Sequence, residues 1–211
     1  MPRLLSARGS RRPPRETCWT VRISFAHAWR VKIDWSHRGR AHRMGSPLRS
    51  DAPDMTSSIS ARVAELGLTL EAAASPAANY VPFVQEGNLL FISGQISRKG
   101  GQPVYLGRLG DELTDDQGIE AARLAALGVL SQIAAATGDR LERVARVVRL
   151  GVFVASTPDF NRHSVVANGA SDLMVDVFGA AGRHARSAVG VASLPAGVAI
   201  EVEAVISLTA A

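Results

Sequence analysis

Residues 55–211 switch between a helical and a strand period, and the switches mark out the elements. Ser57 and Ser58 stand before Ile59, Val63 and Leu66, with Gly67 behind them. That pattern predicts a short capped helix at an edge of the domain. A small-residue loop at 72–79 leads to an apolar stretch at 80–85 and the turn signal Glu86-Gly87-Asn88. The run at 89–93 reads as a buried strand that Gly94 breaks. Lys99-Gly100-Gly101-Gln102 reads as a second turn, feeding a short strand at 104–106.

Thr114 with Gln117 three residues on is a capping box. The helix it opens carries Ile119, Ala122, Ala126, Val129, Leu130 and Ile133 on one stripe and stops at Gly138. Alternation at 144–154 predicts a long strand. Thr157-Pro158-Asp159 reads as the start of a second helical region. Its apolar positions run from Val165 and Val166 through Ala170, Leu173 and Met174 to Val177 and Phe178, ended by Gly179. Residues 185–204 then read as two strands joined by Leu194-Pro195-Ala196-Gly197 into a hairpin. Strands, helix, strand, helix, strands, with one core and no repeat, define an α+β domain with helices on one face of a mixed sheet. The other face is left uncovered, and its small and apolar residues predict oligomerisation.

The candidate chemistry lies in that last segment. Arg186 alternates with Ser187, Val189 and Val191, and Glu201 and Glu203 alternate with Ile200, Val202 and Ala204. If the valine and isoleucine rows of both strands pack under helices, Arg186 shares the opposite face with the two glutamates. The guanidinium then either grips a ligand or pairs with Glu201 or Glu203. Ser93-Gly94 reads either as a plain strand end or as a close backbone approach to a ligand. His163 and His184 have no metal-ligand spacing around them and read as surface or capping residues. Gly100-Gly101 lacks the rest of a phosphate loop.

Charge divides the chain. Residues 1–54 hold 12 basic residues against 4 acidic ones, together with all three tryptophans and Cys18; the rest holds 12 basic and 15 acidic residues. The first segment is therefore expected to be a basic, unfolded extension, translated upstream of a start at Met55 or Met44, in preference to a nucleic-acid-binding arm. A single cysteine suits a reducing compartment, so a cytoplasmic protein is expected. No run of 18 apolar residues exists and no secretory signal is evident, so no membrane partner is expected.

Three segments, NYVPFVQEGNLLFISGQIS at 79–97, ARSAVGVASLP at 185–195 and AIEVEA at 199–204, resemble the Rid or YjgF family of reactive-intermediate deaminases. Those proteins are also called L-PSP endoribonucleases, and the likeness is greatest to their YjgF/chorismate-mutase-like branch. It extends over about residues 72–208. The resemblance implies a chorismate-mutase-like fold and a homotrimer whose sheets line a central barrel, with a cleft at each subunit interface. It implies hydrolysis of 2-imino and enamino acids to 2-keto acids and ammonia, with no metal and no cofactor. In this reading Arg186 grips the substrate carboxylate and Glu201 holds the attacking water. Ser93, Gly94, Phe83, Tyr80, Asn168 and Ala188 surround the substrate. Phe83 stands where the family pattern has a tyrosine, and Ala188 where it has a cysteine.

The roles suit the side chains. A guanidinium forks around a carboxylate and stays charged at any working pH. A carboxylate can orient water and accept its proton. Two other functions fit the same segment: a non-catalytic small-molecule binder, and an RNA-cleaving protein. The net negative charge from residue 55 onward argues against strong phosphate binding.

Overall fold

Helix α2 (Asp115–Thr137) forms where the capping box and the apolar stripe coincide. The Thr114 side chain accepts from the Gln117 amide, Gln117 returns the bond to the Thr114 amide, and Gly138 closes the helix in the left-handed conformation. Ala122, Ala126, Val129, Leu130 and Ile133 are fully buried, so α2 is the central helix of the core. It is long and apolar enough to cross a membrane, but more than half of its most apolar stretch is buried inside the fold. These are features of the computed structural model, which describes residues 58–75 and 78–210. The basic segment 1–54 lies outside the described residues.

The other elements are α1 (Ile59–Glu65), β1 (Phe83–Glu86), β2 (Leu89–Ile96), β3 (Arg98–Lys99), β4 (Gln102–Pro103), β5 (Val144–Ala155), α3 (His163–Val166), α4 (Asn168–Phe178), β6 (Ala185–Val191) and β7 (Ile200–Leu208). Five strands make one mixed sheet in the order β1-β2-β7-β5-β6, and β3 and β4 form a separate small hairpin. β5 and β6 are parallel, whereas β1–β2, β2–β7 and β5–β7 are antiparallel. Helices α2 and α4 pack together over one face of the sheet. This is the α+β architecture, with helices on one face, that the residue pattern predicts. α1 joins the helix layer through Ile59 and Val63, both fully buried.

The approach of α4 to α2 depends on Gly169. A methyl there would stand 2.9 Å from the Ile119 carbonyl carbon and 3.2 Å from the Arg123 amide nitrogen, with the Ile119 oxygen nearer still.

Five expectations change. The segment at 185–204 is not a hairpin: β6 and β7 do not pair, because β5 lies between them. The strand at 89–93 does not end at Gly94 but runs on to Ile96 through a register shift between Ile92 and Gln95. The segment at 104–106 makes only an isolated bridge, Leu106 to Val198. Helix does not begin at Thr157; residues 156 and 157 bond to Leu109 and Val191 instead, and α3 starts at His163. Val165, expected in the apolar stripe, is exposed.

Candidate active site

Residues paired directly across strands share a face. On β5, Leu150 pairs with Arg186 and Ala204, while Phe153 pairs with Val189 and Glu201. Leu150 is fully buried under the helices. Arg186 therefore lies on the helix side of the sheet and Glu201 on the open side. The expectation that they share a face is corrected, and the reason is topological. The two strands are set independently against β5. On β6 the small residues Ala188 and Gly190 face the helices, while Val189 stays 46% exposed on the open side.

Arg186 is held by neutral acceptors. Its Nη1 donates to Asn168 Oδ1 at 3.0 Å and to Ser171 Oγ at 2.9 Å, and its Nη2 donates to the Ser164 carbonyl at 3.1 Å. Asn168 and Ser171 are one turn apart on α4, so both reach the same guanidinium. Behind them, His184 donates from Nδ1 to the Gly182 carbonyl at 2.6 Å, since a carbonyl only accepts. Its Nε2 is then free to accept from Ser171 Oγ, at 3.0 Å. The chain thus runs Arg186 to Ser171 to His184 to backbone. Neither Glu201 nor Glu203 pairs with Arg186; Glu203 lies 3.6 Å from Arg149. No carboxylate offsets the Arg186 charge among the described residues.

Glu201 belongs to a second cluster. The bulge at Ser93-Gly94 sets glycine beneath its carboxylate: a methyl at Gly94 would fall 2.6 Å from Glu201 Cδ and 2.9 Å from Cγ. Bulges commonly re-aim side chains next to active sites. This one is fastened by Ser93 Oγ donating to the Val81 carbonyl at 2.8 Å, and by Gln95 Nε2 donating to the Ser93 carbonyl at 2.9 Å. Glu201 is half-buried, and the burial, with the nearby Glu203 charge, pushes its carboxyl above the ordinary glutamate range. A small cavity of about 110 Å³ lies against it, lined by Tyr80, Pro82, Gly94, Arg98 and Pro195 among others.

The structure thus brings Arg186 together with Asn168, with Ala188 two residues along the same strand face. It brings Glu201 together with Gly94 and Tyr80, with Ser93 in the same bulge. Phe83 pairs with Ile92 and packs on the core, so the aromatic hydroxyl at this site belongs to Tyr80. Ser171 was missed by reading the residues, its signal being the spacing of three from Asn168, and His184, expected as a surface or capping residue, stands behind it. His163 contacts Ser156 Oγ at 3.1 Å and the Phe160 ring edge-on. Among the described residues, no group of three His, Cys, Asp or Glu side chains is placed to hold a metal ion.

The fold is an α+β one: a bulged mixed sheet with helices on one face, carrying a glycine-seated glutamate and, among the described residues, an arginine with no carboxylate partner. The chain belongs to the YjgF/chorismate mutase-like family, described as "putative endoribonuclease", whose model matches residues 60–202. It is 52% identical over 151 residues to Protein TCP17 of Trypanosoma cruzi, covering 71% of this chain and 94% of that one. It is 42% identical to Atu1372 of Agrobacterium tumefaciens, a crystal structure of unknown function, with TM-score 0.68 over 72% of this chain and 92% of that one. A putative endoribonuclease from Shewanella oneidensis is 31% identical, with TM-score 0.69 over 72% of this chain and 100% of that one.

Proposed function

We propose that the protein is a hydrolytic deaminase of reactive 2-imino and enamino acids, yielding 2-keto acids and ammonia. The observation that carries this reading is Glu201: a half-buried carboxylate with raised proton affinity, seated over a glycine bulge beside a small cavity. A carboxyl in that setting is suited to hold a water and take its proton near neutral pH. The water oxygen bonds to the carbon of the C=N group, and Glu201 receives the proton released. The same proton then returns to the nitrogen; as the new hydroxyl oxygen forms the C=O bond the C–N bond breaks, ammonia leaves, and Glu201 takes the hydroxyl proton and passes it to water. An iminium is already an electrophile, so positioning supplies most of the catalysis. Arg186, held open by Asn168 and Ser171, is the clamp for the substrate carboxylate.

Because Arg186 and Glu201 lie on opposite faces of one sheet, a site using both takes them from two copies of the chain. A homotrimer with clefts between subunits meets that requirement. The test couples the purified protein to a pyridoxal-phosphate-dependent threonine dehydratase and follows decay of the released imine. The expected result is acceleration by the wild type. Arg186→Ala should lower kcat/KM roughly 100-fold, from loss of charge-assisted hydrogen bonds. No acceleration, or equal acceleration by Arg186→Ala, refutes the reading. Ligand-induced thermal stabilisation without turnover would favour a binding protein, and RNA cleavage lost in Arg186→Ala would favour a nuclease.

A further inference from the structure

A cavity of about 780 Å³ lies between α2 and the segment at 67–75, within the size range of small-molecule sites. Its helix wall is a second stripe on α2, distinct from the core stripe: Glu120, Leu124, Leu127 and Ser131 recur at helical spacing. Leu124 and Leu127 are only half-buried. The roof is built deliberately. The Glu71 carboxylate accepts from the Gly100 and Gly101 amides at 2.6 and 3.0 Å. Ser131 Oγ donates to the Glu71 carbonyl at 2.8 Å, and Gln132 Nε2 donates to the Ala74 carbonyl at 2.9 Å. Ser131 and Gln132 are 6% and 1% exposed. Burying polar side chains is costly unless they are paired, and these two are paired with the roof. The roof is therefore tied both to α2 and to the β3–β4 turn, with a space left over the leucines.

The lining has a polarity. Leu68, Leu124 and Leu127 make an apolar wall, and Arg98 and Lys99 stand at the hairpin end. Among the described residues, neither cation forms an ion pair with a carboxylate. The Glu71 charge is committed to the two amides, and Glu120 lies on the helix wall. From Glu120 to Ser131 the helix advances about 16 Å at 1.5 Å per residue. We propose that this cavity is a second ligand site, taking an elongated apolar carboxylate with its head at Arg98 and Lys99 and its tail along Leu124 and Leu127. Arg98 also lines the small cavity at Glu201, but Leu127 and Ala72 line this cavity alone, so the site does not depend on the deaminase reading.

Isothermal titration of the full chain with octanoate tests it, with octanol and octylamine as controls. Octanoate should bind saturably at one per chain, and octylamine at least tenfold more weakly. The double variant Arg98→Glu/Lys99→Glu should lose at least tenfold in affinity, as should Leu127→Trp, which fills the cavity from the helix. Ala72→Phe fills it from the exposed roof, and tests the same point if Leu127→Trp fails to fold. No saturable binding by the wild type overturns the proposal. So does octanoate affinity unchanged in Ala72→Phe and in the double variant, or octylamine binding as tightly as octanoate.

Discussion

Gly94→Ala separates the proposed chemistry of Glu201 from the stability of the fold. The added methyl would sit 2.6 Å from Cδ and 2.9 Å from Cγ of Glu201, where ordinary contact is 3.4–4 Å. Relief comes from the glutamate, the mobile end of a side chain, so the stability cost stays below about 1 kcal/mol. For a domain of this size that is a melting shift of no more than about 2–4 °C. The carboxyl, however, must swing by roughly 1 Å or more, and a displacement of that size costs on the order of 100-fold in rate. The expected result in the coupled imine-decay assay is a fall of about 100-fold in kcat/KM, equivalent to about 2.7 kcal/mol. The cause can be isolated in the Glu201→Ala background, where the new methyl has no carboxyl to displace and should cost less than about threefold. Full turnover by Gly94→Ala would refute the reasoning. A 100-fold loss that persists on top of Glu201→Ala would refute it too.

Gly169→Ala should act on stability instead. Its methyl meets the backbone of Ile119 and Arg123, which cannot swing aside, so overpacking of about 1–3 kcal/mol lowers the midpoint by roughly 3–10 °C in a thermal melt. Glu201→Gln tests the titration. Burial raises the Glu201 pKa in the folded state, so its contribution to stability is present at acid pH and lost as pH rises through the raised value. The Gln variant should therefore be the more stable protein at pH 7, by less than about 1 kcal/mol after solvent screening, with the difference vanishing below the ordinary glutamate pKa. Turnover by the wild type should rise with pH through that same raised pKa, read from a pH–rate profile.

What the residues disclosed was local. Thr114 with Gln117 and the stripe from Ala122 to Ile133 define α2, because caps and helical spacing involve neighbours in sequence. The class of fold followed from the order of such elements. What they did not disclose was lateral. Nothing in 185–204 says that β5 slides between its two strands, since β5 pairs with residues such as Arg186, opposite Leu150, and Glu201, opposite Phe153, that lie far along the chain. The face taken by Arg186 was misread for a related reason. β6 is an edge strand, and its helix side needs small residues: a methyl at Gly190 would stand 2.6 Å from His163 Nε2 and 2.8 Å from Ser156 Oγ. The valines of β6 are turned outward by that crowding, so hydrophobicity pointed to the wrong side. The seat of Glu201 was half legible, since Gly94 was singled out but the bulge that makes it useful appears only in the pairing register.

If Arg186 and Glu201 serve one site, as proposed, their placement requires two copies of the chain. The open face keeps Phe91 and Val189 44% and 46% exposed, an apolar surface that suits a partner. The two charged groups lie on opposite sides of the sheet that carries it. If the proposed trimer builds each site from the Arg186 of one copy and the Glu201 of the next, neither Arg186→Ala nor Glu201→Ala has an intact site alone. Unfolding the two variants together and refolding them in equal amounts lets subunits assort at random. An intact site then needs a Glu201→Ala chain supplying Arg186 beside an Arg186→Ala chain supplying Glu201. In a closed ring of identical interfaces that arrangement arises at about one interface in four. The mixture should recover about a quarter of wild-type turnover, while each variant refolded alone stays at its own low rate. A site contained within one chain would give no recovery, since no subunit in the mixture carries both groups.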